Sequence, residues 1–128
     1  MKVYDRDEKD NFVDENGVFV GFDNNSNCCE EFGYFFTPTM DTTFEDAIRI
    51  NKSQIDLPNL RFDPSFFGEL PYKKDSWTQD AGGNACFRLV GHDKPDEKFL
   101  VIYNHHNGYY SHGFTFANAK DCLQQGYL

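Results

Sequence analysis

Cys86-Phe87-Arg88-Leu89-Val90, Phe99-Leu100-Val101-Ile102-Tyr103 and Tyr109-Tyr110-Ser111-His112-Gly113-Phe114-Thr115-Phe116 are the stretches that decide the fold. The middle one is a continuous apolar run, the pattern of a central strand covered on both faces. The last one alternates. Tyr110, His112, Phe114 and Phe116 fall on one face of a strand, and Tyr109, Ser111, Gly113 and Thr115 on the other. Between them, Gly91 to Glu97 is polar, and Asn104-His105-His106-Asn107-Gly108 reads as a hairpin loop ending in Gly. The three stretches together predict an antiparallel meander.

Working outward, Val18-Phe19-Val20-Gly21-Phe22 and Phe32-Gly33-Tyr34-Phe35-Phe36 also read as strands. The first follows Asp14-Glu15-Asn16-Gly17, and Asn-Gly is a strong hairpin signal. Between the two lies Asp23-Asn24-Asn25-Ser26-Asn27, whose side chains favour turns. Residues 42–52 predict a helix with Thr43 as its N-cap and Phe44, Ala47 and Ile48 on one face. A second short helix is expected around residues 117–125, stopped by Gly126. Residues 1–10 alternate charges and read as a solvated arm or a frayed first strand. Residues 53–84 are broken by Pro58, Pro64 and Pro71, yet carry much apolar mass. They predict an ordered, aromatic-rich excursion packed over the sheet. The expected fold is mainly β (α+β): one domain over residues 1–128, with an antiparallel sheet of about five or six strands. One or two short helices and the long loop complete it.

The 128 residues carry a formal net charge of -9, and 14 of the 21 acidic side chains lie in residues 1–64. A negative field repels phosphate backbones, so neither nucleic acid nor an anionic membrane is an expected partner. Met1 to Asp10 lacks the shape of a secretory leader, and the longest apolar run is far too short to span a bilayer. A cytoplasmic location with reduced thiols is expected.

The vicinal pair Cys28-Cys29, followed by Glu30-Glu31, is the most unusual local feature. One thiol could serve as metal ligand or nucleophile. Neighbours on a strand point to opposite faces, though, and the chain contains no C-x-x-C. The plainer reading has one thiol packed as a small hydrophobe. His105 and His106 are the histidines nearest a predicted loop tip. His112 sits on the order of 10 Å further along the next strand, whereas ligands must lie about 2 Å from one ion. His112 therefore reads as a core histidine. Asp23 to Asn27 resembles the start of a calcium loop, but Cys28 stands where that motif needs Gly and Tyr34 where it needs Glu. There is no G-x-S-x-G, no H-E-x-x-H and no phosphate-binding loop with Lys.

Val18-Phe19-Val20-Gly21-Phe22 leading to Cys28-Cys29-Glu30, and Tyr103-Asn104-His105-His106-Asn107-Gly108-Tyr109-Tyr110-Ser111-His112-Gly113-Phe114, resemble elements of small uncharacterised bacterial and phage proteins. These elements are a Cys-Cys-Glu and an Asn-Gly-Tyr-Tyr-x-His-Gly-Phe sequence, and they cover about a third of the chain. The resemblance implies a habitat and a shape, without a mechanism.

The acidic balance, dense aromatics and lack of a catalytic signature predict a non-enzymatic module that binds another protein, as accessory, inhibitor or immunity proteins do. Phe66, Phe67, Tyr72 and Trp77 are the candidate contact residues, because aromatic rings dominate interface hot spots. No cofactor is expected. The alternative is a metal- or thiol-dependent enzyme using Cys28 or Cys29 with His105 or His106, with zinc as the metal such a site would take. A further alternative is a structural homo-oligomer joined through a strand edge or an aromatic patch.

Overall fold

The computed structural model describes residues 1–25, 31–50, 60–73, 82–91, 98–106 and 111–128. These residues form nine strands and one helix. The strands are β1 (Lys2–Arg6), β2 (Lys9–Val13), β3 (Phe19–Asp23), β4 (Glu31–Thr37), β5 (Leu60–Phe62), β6 (Gly82–Gly91), β7 (Lys98–His105), β8 (Gly113–Ala117) and β9 (Cys122–Tyr127), with helix α1 (Phe44–Ile50) between β4 and β5. The expected mainly β, antiparallel class is what the chain adopts, as two facing sheets. One has the order β1-β2-β3-β8-β9 and the other β4-β7-β6-β5, and every described pairing is antiparallel.

Alternation fixes which residues meet between the sheets. Phe12, Val20, Phe22, Phe114 and Phe116 project from the five-stranded sheet. Phe36, Ala85, Phe87, Leu89, Leu100 and Ile102 project from the other, and all are buried in one cluster. The opposite face of the four-stranded sheet buries Phe35, Cys86 and Val101 against Phe44, Ala47 and Leu70. The apolar run in β7 is thus covered on both faces: Leu100 and Ile102 face the other sheet, and Val101 faces α1. The chain is layered sheet, sheet, helix, with the 66–73 segment lying beside α1.

Several details depart from the sequence expectations. Of the two readings of residues 1–10 the free arm fails and the strand holds, because β1 and the start of β2 form a hairpin with Arg6 opposite Lys9. Its turn residues Asp7 and Glu8 both have positive φ, at 55° and 61°. That is the geometry of a two-residue hairpin turn, made here without the Asn or Gly that advertises one. The C-terminal segment is strand β9 rather than a helix. Asn118 Oδ1 accepts hydrogen bonds from the backbone amides of Lys120 and Asp121, both at 2.8 Å, and this turn directs the chain back along β8. The meander also fails. Both edges of β7 are already taken by β4 and β6, so β8 crosses to the facing sheet and pairs with β3 and β9. His105 and His106 accordingly sit at the end of β7 and just beyond it, and they do not form a hairpin tip. Within the 53–84 excursion, Leu60–Phe62 is a strand and Gly82 already belongs to β6.

Two buried polar side chains knit the layers. Asp14 Oδ1 accepts from the amides of Asn16 and Val18 at 2.8 and 2.9 Å. Its Oδ2 accepts from the amide of Phe62 at 2.9 Å. One carboxylate therefore closes the β2–β3 turn and ties it to the other sheet, satisfying backbone donors that burial would otherwise leave unpaired. Asn84 does the same for the 66–73 segment. Its Oδ1 accepts from the Leu70 amide at 2.7 Å and its Nδ2 donates to the Leu70 carbonyl at 3.0 Å.

Candidate functional site

Aromatic side chains gather in two further places, one on the far face of the four-stranded sheet and one at the rim of the core between the sheets. The first is a closed box under α1. Thr43 caps the helix as expected, its Oγ1 accepting from the Asp46 amide at 3.4 Å. Glu45 and Asp46 lie in the first turn and Arg49 in the last, in accord with the helix dipole. The Phe44 amide donates to the Pro71 carbonyl at 2.8 Å, the Lys73 amide to Glu45 Oε2 at 2.9 Å, and Lys73 Nζ lies 2.8 Å from Asp46 Oδ1. These contacts lace α1 to the 70–73 segment, and the Lys73 ammonium holds the Asp46 carboxyl below its usual range.

His105, opposite Glu31 in the β4–β7 pairing, ends the box. Its ring centre lies 4.9 Å from that of Phe44, 5.6 Å from Tyr72 and 5.9 Å from Tyr103. Its Nε2 is 3.0 Å from the Tyr72 hydroxyl. Burial pushes the imidazole pKa down, against the pull of Glu31 and Glu45, and pushes the Tyr72 and Tyr103 phenols up. The box thus holds neutral groups at neutral pH. A neutral imidazole is the form that abstracts protons or binds metal. Here the Tyr72 hydroxyl already engages Nε2, and rings pack around it. Below the same sheet face, Cys86 is buried and its thiol is pushed up to about 12, which denies it the thiolate that nucleophilic chemistry needs.

The second gathering is an open cleft of about 450 Å³, where the edge strand β9 faces β6 and the Phe67–Glu69 segment. Gly68 makes a single antiparallel bridge to Cys86, which carries Phe67 to the mouth. The Phe67 ring stacks on Phe114, with centroids 6.0 Å apart and planes 16° from parallel, and Phe67 remains 43% exposed. Gly126 stands opposite Phe114 in the β8–β9 pairing. A Cβ there would come within 3.1 Å of the Phe114 ring, so glycine lets the ring lie close against the strand without a shift. Tyr127 is 79% exposed, the largest exposure of any large hydrophobic side chain among the described residues. Leu128 closes the strand. Its amide and main-chain oxygen pair with His112, both at 2.8 Å, and the same oxygen accepts from Asn104 Nδ2 at 3.1 Å.

The structure therefore separates the residues singled out from the sequence. Tyr72 joins His105 in the box, with His106 half-buried beside it. Phe66 is partly buried against Phe99, at 5.6 Å, and Phe67 alone of the described aromatic candidates reaches the cleft. Cys28, Cys29 and Trp77 lie outside the described residues. His112 is buried between Phe22 and Phe32, with its Nδ1 bonded to the Asp23 carbonyl, as a core histidine. Among the described residues no group of three or more His, Cys, Asp or Glu side chains could hold a metal ion. No helix among them is long and apolar enough to cross a membrane. The sequence reading missed Phe114, Tyr127 and Leu128 as a shared surface. The available signal was Asn118, which marks a turn there, although the same side chain also suits a helix N-cap. Comparison of the chain with protein-family models, with curated proteins and with solved structures returned no match.

Proposed function

We propose that this chain is a non-enzymatic protein-binding module whose contact surface is edge strand β9, with the Phe67 cleft on its inner face and the Tyr127 ring on its outer face. The observation that supports the reading is the state of these two rings. Phe67 exposes much of its apolar area to water at the mouth of a cleft floored by Ala85 and Phe114, and Tyr127, whose ring lies over Gly113, exposes most of its own on the other face of β9. Leaving such rings wet forgoes burial that stabilises by about 25 cal/mol per Å², and a partner that covers them recovers it. Aromatic anchors that enter or frame a pocket are the residues on which binding energy concentrates. The net charge of -9 favours a basic protein over any polyanion. Chemistry at His105 has less support, because its Nε2 already faces the Tyr72 hydroxyl.

The test is site-specific photo-cross-linking in the producing cell, with the cross-linking amino acid at position 127. A control carries it at Tyr4, an exposed ring on the opposite edge strand. A single defined protein adduct is expected from position 127, absent from position 4 and lost when Phe67→Asp is added. Equal adducts from both positions, or an adduct indifferent to Phe67→Asp, would overturn the reading.

A further inference from the structure

An edge strand offers a row of unpaired backbone groups, and proteins blunt such edges with charge, proline or shortness. The two sheets have four edges among the described residues, namely β1, β9, β4 and β5. β1 carries Lys2, Asp5 and Arg6, β4 begins with Glu31, and β5 is three residues long with Arg61 at its centre. β9 reads Cys-Leu-Gln-Gln-Gly-Tyr, with neither charge nor proline. It is the one described edge left without a charged side chain.

β9 is also flanked by a cavity on each face of its sheet. The inner one is the cleft of about 450 Å³ at Phe67, Ala85 and Leu128. The outer one is a trough of about 480 Å³ lined by Lys9, Asp23, Thr115 and Gln125, with Gly113 in its floor. Both share Phe114, Gly126 and Tyr127. Side chains of a strand point alternately to the two faces. A strand laid along β9 would therefore send alternate residues toward a mainly apolar cleft and toward a trough of mixed lining that offers Lys9, Asp23, Thr115 and Gln125 as polar partners.

Resting on the protein-binding reading above, we infer that β9 accepts an extended segment of its partner as a sixth strand of the five-stranded sheet. Backbone pairing supplies the attachment, and the two cavities supply the selection. The segment this selects is apolar at every second position and polar between. Lys9 and Asp23 give the trough both signs of charge, so the polar positions carry hydrogen-bonding side chains of either kind.

The experiment selects eight-residue peptides from a displayed random library against the whole chain. The best enriched peptide then serves as the probe. The expected consensus alternates apolar and polar residues. In the complex, amide exchange of residues 122–127 in the unmodified chain slows at least tenfold, and Gln125→Pro, which removes a backbone donor, weakens binding at least tenfold. The exchange measurement stands even where the proline variant fails to fold. Peptides that require Phe67 but lack alternation, or that leave β9 exchange unchanged, would overturn strand addition and leave the protein-binding reading intact. A selection yielding no peptide that depends on Phe67 or Tyr127 would overturn both. A dimer in sedimentation with its β9 amides protected would replace the partner segment with a second copy of this chain.

Discussion

The box under α1 and the cleft beside β9 are built from the same kinds of ring, and they end in opposite states. In the box, Phe44 touches Tyr72, Tyr103 and His105 with centroids between 4.9 and 5.3 Å away, and the polar tips of Tyr72 and His105 meet each other. In the cleft, Phe67 rests on Phe114 and Phe87 and leaves nearly half of itself in water, while Tyr127, over Gly113 on the other face of β9, leaves most of itself there. The difference lies in what stands above the rings. A helix laced by Lys73 covers the first group, and no described element covers the second. Aromatic density alone thus says nothing of function. Rings that are covered hold the fold, and rings left wet are available to something else.

The contrast is broken most severely by Phe44→Ala. Phe44 is 3% exposed and joins α1 to β4 and β7, so its loss should lower stability by about 3–5 kcal/mol in urea unfolding. A loss below about 1 kcal/mol would mean that the box is loosely packed. Next in size is the pH response of the box. Burial depresses the His105 pKa, so the unfolded chain takes up a proton near the ordinary imidazole value of about 6.5 before the folded chain does. The stability this neutral imidazole contributes is present above that value. It is lost as pH falls below it and levels off once the folded pKa is passed. His105→Gln should flatten the fall in unfolding midpoint between about pH 7.5 and 5.5, and an unchanged profile would remove His105 as its source.

The cleft should respond in the reverse manner. Phe67→Ala is expected to change stability by about 1 kcal/mol or less, and Tyr127→Ala by about 0.5 kcal/mol or less. Both should weaken partner capture at least tenfold, which is about 1.4 kcal/mol or more. Thermal melts and binding isotherms of the same preparations would separate the two effects. A Phe67→Ala variant that melts like a core mutant would move Phe67 into the class of Phe44.

Much of the fold was legible because its signals are local. The unbroken run of β7 announced burial on both faces, Thr43 announced α1, and the alternation at His112, Phe114 and Phe116 announced an inward face. What escaped was set by distant contacts or by turns of unusual composition. Asp7-Glu8 makes a two-residue hairpin turn with residues that seldom adopt positive φ. Gln124-Gln125 suit a helix intrinsically, but pairing with β8 overrides so weak a preference. That β8 leaves the sheet of β7 depends on β4 having taken the free edge, and β4 lies far away in sequence. The candidate site was legible only in part for the same reason. Phe67 drew notice as an aromatic, while Tyr127 and Leu128 acquire meaning only once β9 is a strand facing β6.

The central claim is that the cleft receives a partner while the box only holds the fold. Hydrogen–deuterium exchange of the unmodified chain, with and without the partner cross-linked from position 127, tests it most directly. The account predicts added protection in residues 66–69 and 122–128, and none in α1 or at Tyr103 and His105. Protection concentrated in α1 and residues 103–106, with β9 unchanged, would contradict it.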